Sequence, residues 1–164
     1  DTKILSGAVI QDLGAGNGFY SYETNGQPLD FLDIFQTINS DDSEPRVYYD
    51  SVAGGISAGA EKDNSIIYRF ETIYPMTKAR INVEPAGEAF VTPLIYYSFD
   101  DQNWSEIKKE INTSSATMFN QILEKTDNHT QIFVKISYDK NDLLAKSTKL
   151  FGIRKIKFYA NLKI

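Results

Sequence analysis

Three groups of residues in this chain carry chemical potential. Asp41, Asp42 and Glu44 stand just ahead of Pro45 as an oxygen-rich cluster. Ca²⁺ takes several hard oxygen ligands, so these three are the expected metal ligands, and a structural Ca²⁺ is the expected cofactor. Their spacing matches no defined ligand loop such as an EF-hand, so an acidic loop without metal is the competing reading. The second group is aromatic. Phe19, Tyr20 and Tyr22 follow the stretch Gly14-Ala15-Gly16-Asn17-Gly18, and Tyr48 and Tyr49 follow Arg46. Sugar rings lay their C–H faces on aromatic rings while polar neighbours bond the hydroxyls. Tyr20, Tyr22, Arg46, Tyr48 and Tyr49 are therefore the expected ligand-binding residues, grouped at one end of the domain. The competing reading is that adjacent aromatics straddle a strand, one ring in and one out. The third group is the lone His129, in the polar run Thr126-Asp127-Asn128-His129-Thr130. A catalytic base must be held by packed neighbours beside a nucleophile, and a single histidine excludes a multi-histidine zinc site.

Nothing else amounts to a catalytic constellation. Carboxylates are plentiful, but no pattern places two of them across a cleft. The Gln-Ile-His and Tyr-x-Lys-x-Gly-x-Tyr patterns of jelly-roll polysaccharide lyases are missing from the sequence. The Gly-rich stretches precede no Gly-Lys-Ser/Thr and are not phosphate loops. No enzyme is expected.

The elements that must position these groups read mostly as strands. From Lys155 to Ile164 the chain alternates, with Ile156, Phe158, Ala160, Leu162 and Ile164 opposite Lys155, Lys157, Tyr159, Asn161 and Lys163. Thr130–Asp139, Lys78–Glu84 and Ser65–Glu71 repeat the same period of two. Strands with one apolar and one polar face belong to antiparallel sheets. Met118–Glu124 and Leu29–Ile38 are the only candidates for short helical turns, and Gly14–Gly18 and Val52–Gly59 read as long loops. At 164 residues with no repeat and no linker, the chain is expected to form one domain, 1–164. The expected fold is all-β: an antiparallel β-sandwich of jelly-roll topology, with long N-terminal loops and at most short helices.

Composition narrows the partners. Aromatics make up 13% of the chain, as ten Tyr, ten Phe and one Trp, which suits pleated surfaces. The net charge of −5 is uneven, with eleven acids and three bases in residues 1–64 against eleven acids and fourteen bases in 65–164. That balance, without a basic patch, argues against nucleic acid. No apolar run approaches the roughly 20 residues that span a bilayer, so no membrane insertion is expected. The N-terminus lacks the basic and apolar regions of a signal peptide. A start at Asp1 fits either a processed chain or a domain of a longer protein. Without cysteine there is no disulfide or thiolate site, and sequons stand at Asn103, Asn112 and Asn128.

Residues 94–107 read Leu-Ile-Tyr-Tyr-Ser-Phe-Asp-Asp-Gln-Asn-Trp-Ser-Glu-Ile. This is a hairpin: an apolar strand, an Asp/Asn turn and a second strand opened by Trp104, whose ring is expected to bury itself against the sheet. The pattern Tyr-Ser-x-Asp-x-x-x-Trp resembles the hairpin of discoidin-like (coagulation factor type C) domains and related galactose-binding-like carbohydrate-binding modules. Their turn usually has Gly where Asp101 stands. Ile66–Glu71, Phe133–Ile136 and the closing strand from Phe151 resemble other elements of that family, so the likeness covers roughly residues 65–164. The same turn serves as architecture in other β-proteins, sialidase Asp-boxes among them. The resemblance implies a jelly-roll sandwich, often with structural Ca²⁺ and ligand-contacting loops.

These readings converge on a non-catalytic module that binds a glycan or polysaccharide. It is expected to sit beside flanking domains in a larger extracellular or cell-surface protein. The alternative is a structural domain whose faces contact other chains in a surface or fibre assembly.

Overall fold

The computed structural model describes residues 5, 8–24, 27, 33–38, 47–60, 64–86, 91–107, 119–123, 126 and 128–164. They form an antiparallel β-sandwich of two sheets. The organising element is the long strand β12 (Leu150–Lys163). Along one edge it pairs with β7 (Met76–Pro85), with Tyr159 opposite Arg80 and Phe158 opposite Ile81. Its other edge is shared. Residues Leu150 to Ile153 pair with β5 (Gly55–Gly59), and Lys157 to Lys163 pair with β2 (Asn17–Glu23). Outside these lie β1 (Val9–Gly14) on β2, β4 (Tyr48–Asp50) on β5 and β10 (Phe119–Leu123) on β7, which makes seven strands. The second sheet has five strands in the order β3 (Gln36–Ile38), β6 (Ser65–Glu71), β11 (Gln131–Tyr138), β8 (Pro93–Ser98) and β9 (Ser105–Glu106).

Among the described residues every strand pair is antiparallel, and only the isolated bridge between Val91 and Phe151 runs parallel. The four alternating segments of the sequence all lie in strands, and their apolar sides form the core. Ile156, Phe158 and Ala160 of β12 face Ile66, Tyr68 and Phe70 of β6 and Ile132, Val134 and Ile136 of β11. Aromatic rings tie the two sheets together. Phe70 and Phe158 stack in parallel with centroids 4.0 Å apart, Tyr22 tilts onto Phe70 at 5.4 Å, and Tyr138 meets Phe151 at 5.5 Å. Tyr22 also donates a hydrogen bond to Asp33 at 3.0 Å, which gives that buried carboxylate a partner.

Four local expectations are corrected. Gly14–Gly18 closes the β1–β2 hairpin through the two-residue turn Ala15-Gly16, with Gly14, Ala15 and Gly16 at φ of 80, 54 and 76. Gly55–Gly59 is a fully buried strand, because small residues let the backbone come close: a Cβ on Gly55 would sit 2.0 Å from the Ile153 carbonyl oxygen. Phe119–Leu123 is a strand rather than a helical turn, paired along β7, whereas in Leu29–Ile38, described from Asp33 on, Asp33 lies in a 3₁₀ turn and Gln36–Ile38 is a strand on β6. Among the described residues, the α-helix is α1 (Lys140–Ala145); Asp139 caps it by accepting from the Asn141 amide.

Replacing Phe158 by Ala removes the ring that meets both Phe70 and Tyr20. The expected loss of stability is about 3–5 kcal/mol, measured by denaturant melts of the two proteins.

Candidate functional site

Of the expected ligand-binding residues, Tyr20 and Tyr22 are corrected. Both are buried core rings, 2% and 1% exposed, so neither is offered to a ligand. The register decides this. Phe19 and Ser21 point out while Tyr20 and Tyr22, opposite Ala160 and Phe158, point in. Burial and the nearby Asp33 push the Tyr20 phenol well above its ordinary range. Tyr48 and Tyr49 lie on the edge strand β4, Tyr48 exposed and Tyr49 half-buried. The two core rings thus do not join Tyr48 in a common platform. Arg46 lies outside the described residues, as do Asp41, Asp42 and Glu44. Among the described residues no three His, Asp or Glu side chains gather in a way that would hold a metal. His129 is half-buried and stacks on Phe99 with centroids 4.3 Å apart, a packing role.

The structure draws together a different set, on the outer face of the five-stranded sheet. The pairing of β11 with β8 sets Lys135 opposite Tyr96 and points both away from the core. The Asp-rich turn then returns Trp104 to the same face. The Lys135 ammonium lies 4.3 Å from the Trp104 ring centroid and 5.3 Å from that of Tyr96, so a cation nests between two aromatic faces. Burial holds the Lys135 ammonium below its usual pKa, and the Asp101 carboxylate opposes the shift. Two residues along β11, Phe133 contacts Phe35 at 5.6 Å, and the Arg69 guanidinium lies 4.6 Å over Phe35. Arg69 also pairs with Glu71 at 3.2 Å.

Phe133 and Ile67 are buried yet stand apart from the main core cluster, in a second apolar layer on this outer face. Phe35 is 38% exposed, and Tyr96 and Trp104 are half-buried. From β3 to β9 the strip crosses four inter-strand steps, about 19 Å at the usual strand spacing. Aromatic rings alternating with Arg69, Lys135, Glu71 and Glu106 make a surface that stacks on planar or puckered rings and bonds their substituents. Sequence reasoning found the Trp104 hairpin but expected its ring to bury. The signal for the rest was the outward place of Lys135 in an alternating strand. Leu94-Ile95-Tyr96-Tyr97 is apolar on both sides, so its alternation could not say which tyrosine faces out.

The turn that positions Trp104 is built around Asp100. Its carboxylate accepts from the amides of Gln102 (2.9 Å) and Asn103 (2.7 Å), the Asn103 side chain (2.6 Å) and the Ser98 hydroxyl (2.8 Å). Asp101 takes φ 60, the left-handed conformation that explains why glycine is common at this turn position.

No protein-family model matches this chain, and no curated protein does. Solved structures of similar fold include a xylanase mutant from Cellvibrio japonicus in complex with xylopentaose. It has a TM-score of 0.51 and 11% identity, over 93% of this chain but only 28% of that enzyme. A carbohydrate-binding module described by its specific mannan recognition has a TM-score of 0.47 and 13% identity, over 93% of this chain and 98% of the module. Another, in complex with β-1,4-galactotriose, has a TM-score of 0.41 and 12% identity, over 86% and 97% of the two chains. At these identities the likeness is one of fold.

Hydrogen bonds from Asn103, Gln102 and Ser98 hold the Asp100 carboxyl well below the ordinary Asp value of about 3.9. A depressed folded pKa means that the turn's preference for charged Asp100 is present above the unfolded pKa. It is lost only as pH falls through the lower folded value. Carbon-detected NMR should therefore show Asp100 still ionised where exposed carboxylates have half titrated. Titration at the ordinary value would mean that the turn is not held this way.

Proposed function

We propose that this domain is a non-catalytic carbohydrate-binding module whose ligand lies across the outer face of the five-stranded sheet. The observation that carries the reading is the nest of Lys135 between Tyr96 and Trp104, continued along the sheet by Phe133, Phe35 and Arg69. Aromatic faces held half-exposed beside cationic donors suit a sugar chain, which offers C–H faces and hydroxyls in alternation. The fold shared with carbohydrate-binding modules supports the class of function and leaves the glycan to experiment. An extracellular or cell-surface setting beside flanking domains belongs to the same proposal, as does a surface contribution from Tyr48 and Arg46.

Affinity for a single chain should be weak, roughly millimolar to micromolar, because a shallow face buries little surface and ordering costs remain. The test is retention of the isolated domain on neutral polysaccharides, with xylan, mannan and β-1,4-galactan in the panel. Trp104→Ala should abolish retention. Its stability should fall by only about 1–2 kcal/mol, since the ring is half-exposed and its chief partner is a lysine. A large fall in stability with binding intact would make Trp104 purely structural and sink the proposal.

Ca²⁺ bound by Asp41, Asp42 and Glu44 remains part of the proposal. If the ion binds the native state alone, the melting temperature should rise in Ca²⁺ relative to chelator, by mass action. An unchanged melt retires that site.

One observation favours assembly as a second reading. Val9, Ile10 and Leu13 of β1, an edge strand among the described residues, are 56%, 46% and 60% exposed, which is unusual for apolar residues at a sheet edge. A concentration-dependent rise in mass by light scattering, lost in Ile10→Lys, would favour it.

A further inference from the structure

The opposite face of the sandwich carries a groove of its own, of about 260 Å³, lined by Phe19, Lys78, Ala79, Arg80, Tyr159, Ala160 and Asn161. It follows from the register of three strands. Asn161 sits between Phe19 of β2 and Lys78 of β7, and Tyr159 sits between Ser21 and Arg80. The short Asn161 side chain among longer neighbours leaves the depression. Phe19 and Tyr159 stack across the strand boundary with centroids 5.8 Å apart and planes 17° from parallel, and they wall one side. Lys78 and Arg80 wall the other.

The charges on this face are sorted. Glu23 is held by Lys155 and Lys157, and Glu84 pairs with Arg154 at 3.4 Å. Among the described residues, Glu23 and Glu84 are thus engaged towards one end, away from the groove. The described lining itself holds two cations and no acid. In a chain of net charge −5 such a positive pocket is a local exception, and it draws anions.

We propose that this groove is a second saccharide site, specific for a carboxylated sugar such as a uronate residue within an acidic polysaccharide. The volume lies just under the roughly 300–1,000 Å³ of typical small-molecule pockets, which suits one residue of a longer chain. The stacked aromatics take the C–H face of the ring. Arg80 offers its planar fork to the carboxylate, Lys78 adds a point charge, and the Asn161 amide bonds a hydroxyl. Nucleic acid is the poorer fit, because its dense phosphates call for an extended basic surface that an acidic domain lacks. The site is independent of the Lys135 face, so either can fail alone.

The test is retention on immobilised polygalacturonate, on the same polymer with its carboxyls methyl-esterified, and on single-stranded DNA. Wild type should bind polygalacturonate more tightly than its ester, and lose that excess as salt approaches about 1 M, where charges are screened beyond about 3 Å. The double variant Lys78→Gln, Arg80→Gln should bind about tenfold to a hundredfold more weakly, the scale of losing hydrogen bonds to a charged group. Both side chains are exposed, so its melt should match wild type. The double variant should keep wild-type retention on the neutral polysaccharides that the Lys135 face binds, which separates this site from the first. A variant-free readout is acetylation of Lys78 followed by mass spectrometry, which polygalacturonate should slow and its ester should not. Unchanged binding by the double variant, equal binding of the ester, or equal retention on DNA would each overturn the proposal.

Discussion

The two edges of β12 are both occupied, and that constraint reaches every part of the molecule. With β7 along one side and β5 and β2 in succession along the other, fourteen residues hold the seven-stranded sheet together. Because side chains alternate along a strand, a slip of one residue would turn Lys157 and Tyr159 inward and expel Phe158 and Ala160. The stack of Phe158 on Phe70 then fixes the second sheet against the first, and with it the outward places of Arg69, Phe133 and Lys135. Thr24 locks the register at the point where β2 ends. Its amide donates to the Ile156 carbonyl at 2.9 Å, and its hydroxyl accepts the Ile156 amide at 2.8 Å.

The fold was legible wherever burial is one-sided. Ser65–Glu71 and the alternating end of the chain could be read directly, because polar and apolar residues take turns where one face is wet. Legibility failed where both faces are covered or where residues are small. Gly55–Gly59 carries no pattern, since a buried strand in close contact with Ile153 and Arg154 selects for lack of bulk rather than for alternation. Phe119–Leu123 and Gln36–Ile38 are defined by their neighbours more than by their own propensity.

The candidate sites were harder, for a related reason. A tyrosine serves equally as core filler and as ligand platform, and the two differ only in which way the ring points. Tyr20 and Tyr22 went inward because β12 fixes their parity, whereas Tyr96 went outward although its neighbour Tyr97 packs on the core. The hairpin of Asp100 was readable as a turn. Where it would deliver Trp104 depended on β9 pairing back onto Tyr96 and Tyr97, a contact that sequence spacing alone does not orient.

The position of β12 also imposes an order on synthesis. The ribosome makes it after every other strand described here, yet it is the central partner of the seven-stranded sheet. Asn17 must wait for Lys163 before β2 gains its inner neighbour. Meanwhile β6, β8 and β11 can already pair with one another, so a nascent chain can hold one sheet while β2, β5 and β7 keep open edges. Such long-range closure is slow, and open edges invite pairing with other chains. The growing polypeptide is therefore most exposed to misassembly just before its last described strand emerges.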